Sequence, residues 1–198
     1  MNPYIHFLSG IGPMVFWSFV LIATMTSLCA AVIAVRVPRR GFVITAAAAL
    51  AVAVLLVAIP HPPAIALVTA LIGIAALAVS VVGGGPAVIL VLAMASRGSV
   101  TDGSHGGILI HDERAPQPAA QHEVLRGGTT IGLFERFATA AAIMAGFPEA
   151  IAVVVAVKGV GRFTELDAAE ARERFIIGTL VSLVWACACG ALFRLTLG

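Results

Sequence analysis

The sequence predicts an all-α integral membrane protein with about six transmembrane helices and one re-entrant, half-length helix. Three observations carry that expectation. Hydrophobic residues make up 60% of the chain and charged residues 11%, against about 25% charged in soluble domains. Mean hydropathy is +1.05. Residues 1–35, 41–96 and 175–193 contain no Asp, Glu, Lys or Arg, and each stretch exceeds the ~18 uncharged residues that argue a membrane span. These stretches also lack a polar face, which excludes amphipathic helices around a soluble core.

Residues 1–12, with Tyr4, His6 and Phe7, read as an interfacial lead-in, because aromatic rings favour the headgroup layer. The first Arg is Arg36, so the positive n-region of a cleavable signal peptide is missing. A first span runs from about Met14 to Val35 and ends at Arg36, Arg39 and Arg40. The second, Gly41 to Ile59, ends at Pro60-His61-Pro62-Pro63, a tight turn. The third runs from Ala64 to about Val82, after which Gly83-Gly84-Gly85-Pro86 predicts a break in the helix. The next apolar stretch, Ala87 to Ser96, covers only ~15 Å as a helix, half of a ~30 Å hydrocarbon core. Residues 83–96 either re-enter the side they came from or form a strongly shortened fourth span; the distribution of basic residues favours re-entry, closing an N-terminal region at 1–96.

Residues 97–127 form the long polar segment, rich in Gly, Ser, Pro, Gln and charge, and are expected to be a mobile cytoplasmic loop. A C-terminal module follows at 128–198. Its first part is a helical hairpin, Thr129 to Gly146 and Pro148 to Val160, turning at Gly146-Phe147-Pro148. Thr164-Glu165-Leu166-Asp167 fits a capping box for a helix that continues into the last span. On that helix Glu170 and Arg174 are spaced as an ordinary exposed pair. With residues 83–96 re-entrant, ten of the twelve basic residues share one side; only Arg194 lies opposite, and Arg136 stays within a span. The positive-inside rule then places the N-terminus outside and the 97–127 loop in the cytoplasm of a cell (inner) membrane.

Charges inside an apolar hairpin are costly unless paired or wet, which makes them functional candidates. With the turn centred between Phe147 and Pro148, Lys158 falls within a helical turn of Glu135 and Arg136, and Arg162 lies one turn further towards the cytoplasm. That places the cluster ~17 Å from the turn at 1.5 Å per residue. One anion and three cations can attract an anion or pass a proton; they can equally clamp the hairpin as a structural ion pair. Glu149 follows Pro148 at a helix start, where a carboxylate suits the unsatisfied N–H groups. Gly178, Ser182, Ala186 and Gly190 recur every four residues on the last span, a ridge of small residues that admits another helix or a second protomer. Trp185 beside them is expected to pack.

Other chemistry is weaker. His105, His111 and His122, with Asp112, Glu113 and Glu123, offer metal-binding atoms in the loop. Their spacing matches no familiar zinc pattern, and no cofactor is expected. Cys29, Cys187 and Cys189 lie in apolar spans and read as small core hydrophobes. There is no nucleophile elbow, no HExxH and no Lys-Ser/Thr after the glycine run. A formal charge of +2 without basic, aromatic-interleaved runs excludes a nucleic-acid surface.

Gly132-Leu133-Phe134-Glu135-Arg136, Glu149-Ala150, Lys158, Arg162-Phe163 and Phe175-Ile176-Ile177-Gly178-Thr179 with Ser182 form a pattern over roughly the last third of the chain. In this region the chain resembles small uncharacterised bacterial multi-pass membrane proteins. The resemblance implies that the charged hairpin and last helix form one module, and implies no substrate. The residues themselves point to a transport or channel-like protein for a small or anionic solute near the Glu/Arg/Lys cluster, with the lipid bilayer as its solvent. The competing reading is a non-catalytic accessory or scaffold subunit, self-associating or bound to another membrane protein. An enzyme acting on lipid headgroups is the third and weakest class.

Overall fold

The computed structural model describes residues 3–95, 101–102, 108–110, 122–124, 128–161 and 169–198, with side chains described for 11–95, 128–161 and 171–198. Helix α1 spans Pro3–Arg36, α2 Arg40–Ala58 and α3 Ala66–Ala95. Three short strands follow, β1 Thr101–Asp102, β2 Ile108–Ile110 and β3 His122–Val124, paired antiparallel in that order. Helices α4 (Gly128–Ala145), α5 (Ala150–Gly161) and α6 (Ala169–Leu195) complete the chain. Outside the small sheet of the polar segment, the described secondary structure is entirely helical.

Four helical stretches are long and apolar enough to cross a membrane: Ile11–Arg36, Arg40–Ala58, Ala66–Ala95 and Ala171–Leu195. That is fewer than the six expected from sequence. In α4, Glu135-Arg136 lowers the hydropathy of an 18-residue helix; α5 has 12 residues, ~18 Å at 1.5 Å per residue. In the four long stretches only 28–33% of the apolar window is buried within the chain. Side chains such as Phe19, Ile22, Leu55, Leu67 and Ile74 stand exposed, a surface that suits lipid contact and is compatible with a membrane location.

The expected break at Gly83-Gly84-Gly85-Pro86 does not occur, so residues 83–96 are not a separate re-entrant helix. Helix α3 continues through Pro86 for 30 residues. Pro86 has no N–H for the carbonyl four residues back, but its neighbours supply support from outside the helix. Trp185 Nε1 donates to Val79 O at 2.9 Å, and Arg136 Nε donates to Val81 O at 3.1 Å. The glycines serve approach instead of turning. A Cβ on Gly83 would collide with the Trp185 ring, and one on Gly84 with the Arg136 stem.

The buried core joins α1, α2, α3 and α6. Helices α1 and α2 run antiparallel and are tied where Ser27 Oγ donates to Ala46 O at 2.8 Å. Helix α3 packs antiparallel to α6: Gly73 meets Phe193, Gly83 meets Trp185, and Gly178 meets Val88. Helix α4 completes this group through α3 and α6. One end of the bundle collects the Pro60–Pro63 turn, the Gly146 turn and the C-terminus. There Trp17 Nε1 donates to Pro62 O, His61 Nε2 lies 3.0 Å from Leu195 O, and Gly146 approaches Arg194. The Phe16, Trp17 and His61 rings pack together at that end.

Candidate functional site

The α4–α5 turn sets the register of the site. Gly146 adopts φ +84°, a left-handed conformation that glycine takes without a Cβ penalty. Phe147 N–H closes the end of α4 on Ala142 O at 2.8 Å. Glu149 sits exposed in this turn, one residue before α5. The two helices then run back alongside each other and bring Lys158 Nζ onto Glu135 Oε2 in a hydrogen-bonded ion pair. Their side chains keep only 18% and 12% exposure. Lys158 Nζ also stands 5.7 Å from the centroid of Phe175 on α6, within cation–π range.

Arg136 does not join this pair. Adjacent helical positions diverge by about 100°, so Arg136 faces α3 where Glu135 faces α5. It is 6% exposed, its stem lies against Gly84, and its head group approaches Gly85 and Gly132. Ser80 Oγ in turn donates to the Arg136 carbonyl at 3.1 Å. Arg136 thus stitches α4 to α3, which separates the described members of the charge cluster into a Glu135–Lys158 pair and a packed arginine. Arg162, Thr164 and Asp167 lie outside the described residues, as do His105 and His111; the side chains of His122 and Glu170 are likewise not described. Among the described residues no group of three His, Cys, Asp or Glu could hold a metal ion.

Beside the ion pair lies a cavity of ≈ 10 Å³, lined by Glu135, Arg136, Thr139, Lys158, Thr179 and Ser182 among others. This is about the room one water centre requires. Three of the lining residues carry a buried polar atom with no hydrogen-bond partner: Glu135 Oε1, Thr139 Oγ1 and Thr179 Oγ1. The contrast with other helical hydroxyls is instructive. Thr24 donates to Val20 O, Ser27 to Ala46 O and Ser80 to Arg136 O. Buried hydroxyls are normally satisfied, so two that remain open on one cavity beside an open carboxylate oxygen mark a polar site.

Sequence reasoning passed over Thr139 and named Thr179 only within the C-terminal pattern, with no role. Thr139 is one helical turn beyond Glu135, so an i, i+4 search along the hairpin would have found it. Thr179 enters from another helix, and no local spacing links it to Glu135. The small-residue ridge faces inward: Ser182, Ala186 and Gly190 are buried, and a Cβ on Gly190 would stand 2.8 Å from Ile143 Cβ. Helices α3 and α4 of the same chain cover it. Trp185 packs, and also donates to Val79 O. Among the described residues the three cysteines are free, with Cys189 buried. Comparison with protein-family models, with curated proteins and with solved structures finds no match to this chain.

Proposed function

We propose that this chain is a polytopic membrane protein that moves a small anionic solute, with the Glu135–Lys158 pair as the closed gate of its site. The observation that carries this reading is an ion pair joining α5 to α4 beside three unsatisfied polar atoms. Helix α5 has no buried residue, so few contacts besides the pair hold it against the bundle. Opening the pair would let α5 swing about the Gly146 turn and expose Thr139, Thr179 and Ser182. Bistable elements of this kind, weakly packed and held by one polar latch, suit alternating access. The surrounding apolar walls keep the pair's field strong.

The test uses the full chain in vesicles of phosphatidylcholine and phosphatidylglycerol, with chloride, nitrate and acetate efflux as readouts. Wild-type vesicles should release at least one of these anions faster than protein-free vesicles. Lys158→Met should abolish that flux while the protein keeps its helicity and its gel-filtration position. Loss of folded Lys158→Met protein, rescued by adding Glu135→Gln, would instead make the pair a structural clamp. Absence of flux for every anion would count against transport.

The scaffold reading has one observation in its favour, the exposed apolar face of α5 at Val153, Val157 and Val160. A bilayer would cover that face equally well, so transport remains the conclusion.

A further inference from the structure

The unsatisfied atoms of the cavity carry the argument beyond a gate. Thr139 is fully buried, yet its hydroxyl has no partner. It shares the cavity with Thr179 Oγ1 and with Glu135 Oε1, the carboxylate oxygen that Lys158 does not take. A hydroxyl can donate or accept, an ammonium only donates, and a carboxylate only accepts until it is protonated. With Glu135 ionised, its charge cancels that of Lys158, and the cavity has room for about one water. With Glu135 protonated, the Lys158 ammonium loses its partner, and the Thr139 and Thr179 hydroxyls can donate beside it.

The charges packed around Glu135 support this. On α5 the facing charge is Lys158, and α5 holds no other within Ala150–Gly161. On its own helix Arg136 is the neighbour; it donates to Val81 O of α3 and also lines the cavity, a second cation beside Lys158. Helix α3 contributes no titratable group, and α6 brings Thr179, Ser182 and Leu183 to the cavity. The charged residues of α6 near this end, Arg172, Glu173 and Arg174, precede the cavity-lining turn. No second carboxylate among the described lining residues would repel an anion. A metal cation, by contrast, would meet the Lys158 ammonium.

We infer that Glu135 is a proton site whose protonation converts this cavity into a binding site for a small monovalent anion, held by Lys158 Nζ and the Thr139 and Thr179 hydroxyls. This rests on the transport reading and names its coupling: one proton and one anion enter together, so the site's net charge does not change. The proton adds to Glu135 Oε1, the hydrogen bond from Lys158 to Glu135 opens, and the anion takes the place of the carboxylate as the partner of Lys158. No covalent bond other than the new O–H forms or breaks.

By thermodynamic reciprocity the anion must then raise the proton affinity of Glu135 by the factor by which the proton raises the anion's. The experiment is infrared difference spectroscopy on the full chain in a phosphatidylcholine/phosphatidylglycerol film. The protonated carboxyl band is followed from about pH 8 to about pH 4, a range wide enough to cover ordinary and raised carboxylates. Chloride is the probe, and gluconate, too large for the cavity, is the matched control. A titrating band that Glu135→Gln removes, and that Glu135→Asp moves, is expected. Replacing gluconate with chloride should raise the proton affinity about 5- to 150-fold, the usual span of such coupling. Thr139→Val with Thr179→Val should keep the titration and lose the chloride effect.

Identical titrations in chloride and gluconate would overturn the anion site, and a folded wild type with no Glu135 band would overturn the proton site. The two readings fail separately. Anion flux without linkage leaves transport standing and removes this inference; linkage without flux does the reverse.

Discussion

Thr24, Ser27, Ser80 and Trp185 each donate to a backbone carbonyl, whereas Thr139 and Thr179 line the cavity. Trp185 Nε1 is buried on Val79 O, and leaving that carbonyl without its side-chain donor while trimming the ring has a cost. Trp185→Phe should destabilise the protein by about 1–3 kcal/mol, read as a lower detergent-solution Tm. Gly190 faces backbone, with Ala140 O 3.2 Å and Ile143 Cβ 2.8 Å from a built Cβ. A carbonyl cannot rotate away as a side-chain tip can, so Gly190→Ala should cost about 1–3 kcal/mol through overpacking. By comparison, Gly41→Ala meets open space and should leave the stability within about 0.5 kcal/mol of wild type or slightly raise it. Equal Tm values for the Gly190 and Gly41 variants would contradict the close α4–α6 contact.

At the scale of elements, the turn ends do more than connect. His61 links the α2–α3 connector to the last carbonyl of α6 through Leu195 O, with its ring stacked on Phe16. His61→Phe keeps an aromatic ring and loses the polar contacts. Removing a part-exposed hydrogen bond costs about 0.5–1.5 kcal/mol, so hydrogen exchange in the last turn of α6 should quicken several-fold while α3 stays protected. Faster exchange in α3 as well would mean that His61 supports the whole core. The hairpin shows the opposite balance. Helix α5 has few contacts, and one ion pair ties it to α4, so loss of the pair should free α5 locally while the rest of the bundle stays folded.

For the whole molecule, the arrangement of ends is open to direct measurement. Helices α1, α2 and α3 each traverse the bundle once, so Arg39 and Ala95 lie at one end, with Pro62 and Leu197 at the other. In a background with Cys29, Cys187 and Cys189 changed to Ala, single cysteines at Arg39 and Ala95 should react with an impermeant thiol probe from one side of sealed vesicles. Cysteines at Pro62 and Leu197 should react from the opposite side. Labelling of Ala95→Cys from the Pro62 side would restore a return of the chain at the glycine run. A single crossing by α3 would put the chain after Ala95 on the same side as a span plus a re-entrant piece, so the labelling pattern tests the sidedness expected from the basic residues.

The sequence by itself determined the class and most element positions. Long uncharged runs leave few alternatives to helices in a low-dielectric surround, since the backbone must satisfy its own hydrogen bonds there. It also identified the hairpin turn, because Gly146 before Phe147-Pro148 is a local signal, and it brought Glu135 and Lys158 to one level. It misjudged Gly83–Pro86. Whether glycines and a proline turn a chain or accept a neighbour depends on what lies opposite, and Trp185 and Arg136 come from distant segments. The same reason hid the division of the charge cluster. Only tertiary packing decided that Glu135 pairs with α5, that Arg136 anchors α3, and that Thr179 meets Thr139 across a cavity. Local spacing fixes which side chains share a helix face, but the distance between two faces exists only once the helices are packed.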